Sequence, residues 1–334
     1  MMTASARPPT SLAWRLALVA LLLHLAYLAA IHGYTLFFMP QTDAMRELFG
    51  SPRYLAQLAA YTASTLAISG LVAWITMHRW LARHAARAVD EPRKLYCTFI
   101  PLLLLFLLIS SSALAIVHSR LTDLLLTYGQ VLDDWFGPNI AWKFMALTLV
   151  NKAMAVILDI LGVWAVVRIA AWTVQPAGAA GAPAYARLHA SWIAGLTVLI
   201  WQLSASAMLG GYLQAQLSNP GWLEYVLGAL VLPAAVLPLC ALACLKALPD
   251  ELGRAGPRRA VAHGTLAFWI AQVLGAGLAY LIVRAMTWHQ LMRAAQSYMT
   301  GGVALLAYGA LLALACVLGK RALYRQGRGQ ASQA

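Results

Sequence analysis

Between Phe144 and Trp172 the chain is apolar enough to lie in a bilayer, yet it holds Thr148, Asn151, Lys152 and Asp159. At 3.6 residues per turn, Thr148, Lys152, Ala155, Asp159 and Gly162 fall on one stripe of a helix, and Leu, Ile, Val and Met cover the rest. That stripe is expected to meet protein or water, and the other faces lipid or core.

Asp159 carries the sharpest chemistry. It stands nine residues before Arg168, about 13 Å at 1.5 Å per residue, so its short side chain reaches neither membrane surface. A carboxylate so placed costs several kcal/mol unless it is paired, hydrated or protonated. Such a group suits a proton carrier or an ion ligand; the plainer alternative is an acid that only locks neighbouring helices together. Lys152 lies seven residues earlier on the same stripe, about 10 Å away along the axis. Helical side chains lean toward the amino-terminal end, so Lys152 points away from Asp159 and a direct salt bridge is not expected. Its plain reading is a lysine that snorkels toward the headgroups near Trp142.

Partners for Asp159 must come from other helices at the same depth. Nine residues inward from Arg15 lies His24, nine from His263 lies Gln272, and nine from His78 lies Ser69. The expected site is therefore a cluster of His24, Asp159 and Gln272, with Ser69 beside it and Lys152 further along the stripe, lining a cavity near the midplane and binding a solute or ion.

Other chemistry has less behind it. The remaining histidines fall at the ends of apolar segments, so no pair at one depth is spaced to hold haem. Met39, Met45, Met292 and Met299 near such histidines have copper-binding chemistry, but they sit where amphipathic packing explains them. Cys240 and Cys244 are one turn apart and have the chemistry to share a metal; buried cysteine acting as a small apolar residue is the simpler account. There is no Walker loop, no Gly-x-Ser-x-Gly elbow, no His-Glu-x-x-His, no Cys-x-x-Cys and no paired-aspartate motif for a magnesium diphosphate. No cofactor, metal or catalytic residue is therefore expected.

The elements that must position these residues follow from composition. With 62% hydrophobic and 10% charged residues over 334 positions, the chain is too apolar for a soluble domain of its size. A helix needs about 20 apolar residues to cross a bilayer, and eight segments qualify, near 13–37, 55–77, 95–117, 144–168, 190–212, 222–245, 264–286 and 301–319. The first exceeds a signal-peptide core and lacks a clean cleavage site before Ile31, so it is read as an uncleaved span.

Orientation follows from Lys and Arg. With the amino terminus inside, the inner segments hold 17 of the 24 basic residues and the outer ones six, with Lys152 the remainder. The net charge of +13 is then a matter of topology, and no nucleic-acid partner is called for. Two amphipathic helices are expected on the outer surface, over Leu121–Phe136 and Trp288–Met299, with Thr122 and Thr287 as N-caps. Pro233 and Pro238 should kink or unwind the sixth span. Small-residue ladders on the fifth, seventh and eighth spans mark close helix packing.

A shift of 165 residues places Pro92, Arg93 and Lys94 on Pro257, Arg258 and Arg259, and Thr122 on Thr287. This points to a duplication into two parallel four-helix repeats: residues 1–172, a cytoplasmic Gly/Ala/Pro linker over 173–189, and residues 190–334. The expectation is thus an all-α, polytopic protein of a bacterial cytoplasmic membrane with both termini cytoplasmic. Its function is read first as a transporter or permease for a small solute or ion. The rivals are a non-transporting assembly or regulatory subunit, in a homo- or hetero-oligomer, and a membrane-embedded enzyme acting on lipid or haem.

Overall fold

The computed structural model describes residues 12–38, 42–137, 140–177, 185–216, 231–248, 256–295 and 297–324. Nearly all of them are helical. In chain order the elements are α1 (Leu12–Phe38), α2 (Thr42–Gly50), α3 (Pro52–Arg83), β1 (Ala88–Val89), α4 (Pro92–Thr127), α5 (Gly129–Phe136), α6 (Ile140–Trp172), β2 (Pro176–Ala177), α7 (Arg187–Gln216), α8 (Leu232–Ala247), α9 (Pro257–Ala285), α10 (Trp288–Ala295) and α11 (Tyr298–Leu323).

Seven of these helices are long and apolar enough to cross a membrane, where the sequence predicts eight spans. The difference lies in the sixth segment. Its described part, α8, is a shorter apolar helix, and the stretch before it lies outside the described residues. Pro233 is the second residue of described α8, and Pro238 is inside the helix. Of the predicted linker, residues 178–184 lie outside the described chain, as does Met39.

Exposure shows why the fold is a membrane bundle. On α1, Ala13, Leu16, Ala17, Ala20 and His24 are buried at helical spacing, while Trp14, Leu18, Leu22 and Leu25 are exposed. The same division marks α4, with Leu95, Phe99, Leu103 and Leu107 inside and Leu104, Leu105, Leu108 and Ile109 outside. In water, such exposed apolar rows would be costly; against lipid they are the expected outer surface. The fold is an all-α, multi-pass membrane protein.

The described chain forms two compact units. One contains α1 to α6, both strands and α7 from Ser204 onward; in it α1 packs on α3 and α4, and α6 packs on α3 and α4. The helix α3 ends in a tight turn, with the Ala86 N–H bonded to the Leu81 carbonyl at 3.0 Å and Ala85 in the left-handed region at φ 49. The chain then forms β1, which pairs antiparallel with β2, Ala88 opposite Ala177 and Val89 opposite Pro176. Asp90 completes this clip: its N–H donates to the Gln175 carbonyl at 3.1 Å, and its Oδ1 accepts from the N–H groups of Gln175 at 2.9 Å and Glu91 at 2.8 Å.

The other unit contains the first part of α7, through Leu203, with α8 to α11. In it α11 packs on α8 and α9. The Arg187 guanidinium donates to the Leu245 carbonyl near the end of α8, satisfying an acceptor that the last helical turn leaves open.

The surface helices differ from expectation. α4 runs unbroken for 36 residues to Thr127, absorbing the start of the predicted amphipathic helix. Thr122 is therefore no cap; its hydroxyl donates to the His118 carbonyl one turn back at 2.8 Å. Only Gly129–Phe136 forms the separate helix α5, which Lys143 of α6 holds through an ion pair with Asp133 and a bond to the Gly129 carbonyl at 2.9 Å. Thr287, by contrast, does cap α10. Its N–H donates to Gln290 Oε1 at 2.9 Å and its hydroxyl accepts from the Gln290 N–H at 3.4 Å, the reciprocal pair of a capping box. The helix that follows ends at Ala295, short of the predicted Met299.

Candidate functional site

The polar stripe of α6 faces α3 and α4 of its own unit. Lys152, Ala155, Asp159 and Val163 are buried, while Leu149, Val150, Ile157, Ile160 and Leu161 on the other faces are exposed. At the Trp172 side of Asp159, Gly162 meets the Phe106 ring of α4 so closely that an added Cβ would stand 1.9 Å from it. Glycine at 162 lets this aromatic ring seat on the helix and close the stripe below the carboxyl group.

On the other side of Asp159 the helices part. A recess of about 420 Å³ lies among Tyr61 of α3, Leu114, Ala115 and His118 of α4, and Thr148, Asn151, Lys152 and Ala155 of α6. Its size and largely apolar wall are those of a small-molecule site. Asp159 does not line it, but Ala155, one turn away, does.

Lys152 does not snorkel. Its side chain is buried and its Nζ lies 3.6 Å from the centroid of the Tyr61 ring, so an aromatic face takes the place of headgroup water around the cation. As the side-chain lean implies, it makes no salt bridge with Asp159, although the two charges act on one another through the stripe, and Asp159 also acts on Tyr61. Among the described residues no hydrogen bond or ion pair reaches the Asp159 carboxyl.

The other predicted site residues have hydrogen-bond partners of their own. His24 and Ser69 do meet: both are buried, with Nδ1 and Oγ hydrogen-bonded at 2.8 Å between α1 and α3. No bond among the described residues joins this pair to Asp159. Gln272 belongs to the other unit, where its Nε2 donates to the Tyr308 hydroxyl at 2.7 Å and that hydroxyl donates to Gln202 Oε1 at 2.6 Å.

Sequence reasoning missed His118 and Asn151 as site residues. Their ring and amide nitrogens are hydrogen-bonded across α4 and α6, and the Asn151 Oδ1 is buried with no hydrogen-bond partner among the described residues. The available signal was Asn151 itself, a strongly polar amide next to Lys152 in an apolar run. His118 was hidden because the span was expected to stop before it.

In the second unit, Cys240 and Cys244 of α8, Cys316 of α11 and His263 of α9 are all fully buried. The Cys316 thiol interacts with both of the others, and His263 Nε2 is bonded to the Cys316 carbonyl at 2.7 Å. Among the described residues no group has the geometry to hold a metal ion. Beyond the span, the Tyr324 ring stands edge-on to His263 at 5.6 Å, and burial pushes its hydroxyl up to about 12.

No known protein family, curated protein or solved structure matches the chain.

Proposed function

We propose that this protein passes a small solute or ion across a bacterial cytoplasmic membrane, with Asp159 as the coupling group and the adjoining recess as the solute site. The observation that carries this reading is a buried carboxyl group with no hydrogen bond or ion pair among the described residues, one helical turn from a recess that holds a buried lysine. A carboxyl meant only to fasten helices would be expected to spend its hydrogen-bonding capacity on a neighbouring helix. One left without such bonds can take up and release a proton or cation as its surroundings change. The stripe is also covered from within, by Tyr61 and Phe106, which removes the need for a docked partner helix that the subunit reading assumes.

In this reading the protein has eight spans, α8 being the inner part of the sixth, and both termini are cytoplasmic by the distribution of Lys and Arg. The two halves descend from a duplicated four-helix unit. The basic loop signals at Pro92–Lys94 and Pro257–Arg259 support that, although Thr122 and Thr287 have diverged in role.

The test is flux in proteoliposomes loaded with a pH-sensitive dye and exposed to a panel of organic acids, amino acids and alkali cations. Wild-type protein should give solute-driven proton movement. Asp159→Asn, which keeps the shape of the side chain, should fold normally and lose flux at least about tenfold, the loss expected when a required proton-transfer group is removed. Full flux in that variant, or none from the wild type with any solute, refutes the reading.

A further inference from the structure

We infer that the recess between α3, α4 and α6 takes a small organic carboxylate carrying a hydroxyl group beside the acid. This rests on the recess being the solute site proposed above, and it adds the chemical class of the solute. Among the described residues the recess offers one full charge, the Lys152 ammonium, and no carboxylate lines it. Tyr61 covers one side of that ammonium, and the cation–π contact leaves its N–H donors available to an anionic oxygen. A ligand cation would meet the Lys152 ammonium as the charge on the recess wall, and a neutral apolar ligand would leave that ammonium with only Asp159, which does not line the recess, as counter-charge.

The hydroxyl requirement comes from Asn151. One end of its amide is taken by His118, and its Oδ1 is buried without a partner among the described residues. A hydroxyl both donates and accepts, so it satisfies this end of the amide while the acid group meets Lys152 on the next residue. Leu114, Ala115, Ala155 and the Tyr61 ring supply apolar wall for the carbon part of the molecule.

Mandelate is a suitable probe, compared with phenylacetate, which lacks the hydroxyl, and mandelamide, which lacks the charge. Binding to the full-length protein in nanodiscs is read by calorimetry. Mandelate should bind about tenfold or more tighter than mandelamide and several-fold tighter than phenylacetate, the usual differences for a charged and a neutral hydrogen bond. Lys152→Gln should remove the preference for mandelate over mandelamide, and Lys152→Arg should retain it. Equal affinity for mandelate and mandelamide in the wild type, or preferential binding of choline, overturns the inference without any variant having to fold. So does an unchanged preference in a folded Lys152→Gln protein. Lys152-dependent mandelate binding without flux in proteoliposomes supports the ligand class while refuting transport. Asp159-dependent flux of other solutes, with no preference for mandelate over mandelamide, does the reverse.

Discussion

Ser69 shows how much depends on single polar atoms in a bundle of this kind. It is wholly buried and its Oγ is the hydrogen-bond partner of the His24 ring. Ser69→Ala should leave that ring nitrogen unsatisfied inside the protein and destabilise it by about 1–3 kcal/mol, seen as a lower unfolding midpoint in detergent. A matching His24→Phe change made in the Ser69→Ala background should cost less than it does alone, because the pair acts as a unit. This pair was legible in the sequence as two polar residues at one depth. The surroundings of Lys152 were not: spacing along one helix shows which way a side chain leans, but not that a tyrosine from α3 waits there to receive it. Asn151 and His118 stayed hidden for a related reason, since their bond links two helices whose contact no single-helix pattern encodes.

At the scale of elements, close approach sets the tolerances. An added Cβ on Gly264 of α9 would lie 2.3 Å from the Ala194 carbonyl oxygen and 2.8 Å from the Thr197 Cβ, both on α7. Backbone cannot swing aside as a long side chain can, so Gly264→Ala should lower stability by about 1–3 kcal/mol, measurable as a shift in thermal unfolding. The spans themselves were readable because a bilayer demands long apolar runs, and the Thr287 cap because its partner Gln290 stands at the required spacing. The end of α4 was misplaced. Hydrophobicity falls after residue 117 as the helix changes surroundings, but nothing in Ser119–Thr127 breaks a helix, so the backbone continues with the same hydrogen bonding. The Thr122 hydroxyl, which the sequence offers as a cap, serves equally well bonded back to the His118 carbonyl within the helix.

For the molecule as a whole, the seven long apolar helices among the described residues place it in a membrane, and the uneven distribution of basic residues predicts its direction there. A fluorescent-protein fusion at the carboxy terminus should be bright and an alkaline-phosphatase fusion at the same position inactive; the opposite pattern would invert the topology. The clip formed by β1, β2 and Asp90 bears on how such a bundle can move. It fastens the loop before α4 to the chain leaving α6, whereas Asn151 lies 21 residues back from Trp172, about 30 Å along the helix. A tether at one end converts any splaying of α4 from α6 into rotation about a pivot. The displacement grows along the lever, so the mouth at His118 and Asn151, 21 residues from Trp172, travels about twice as far as the seat of Phe106 on Gly162, 10 residues from it.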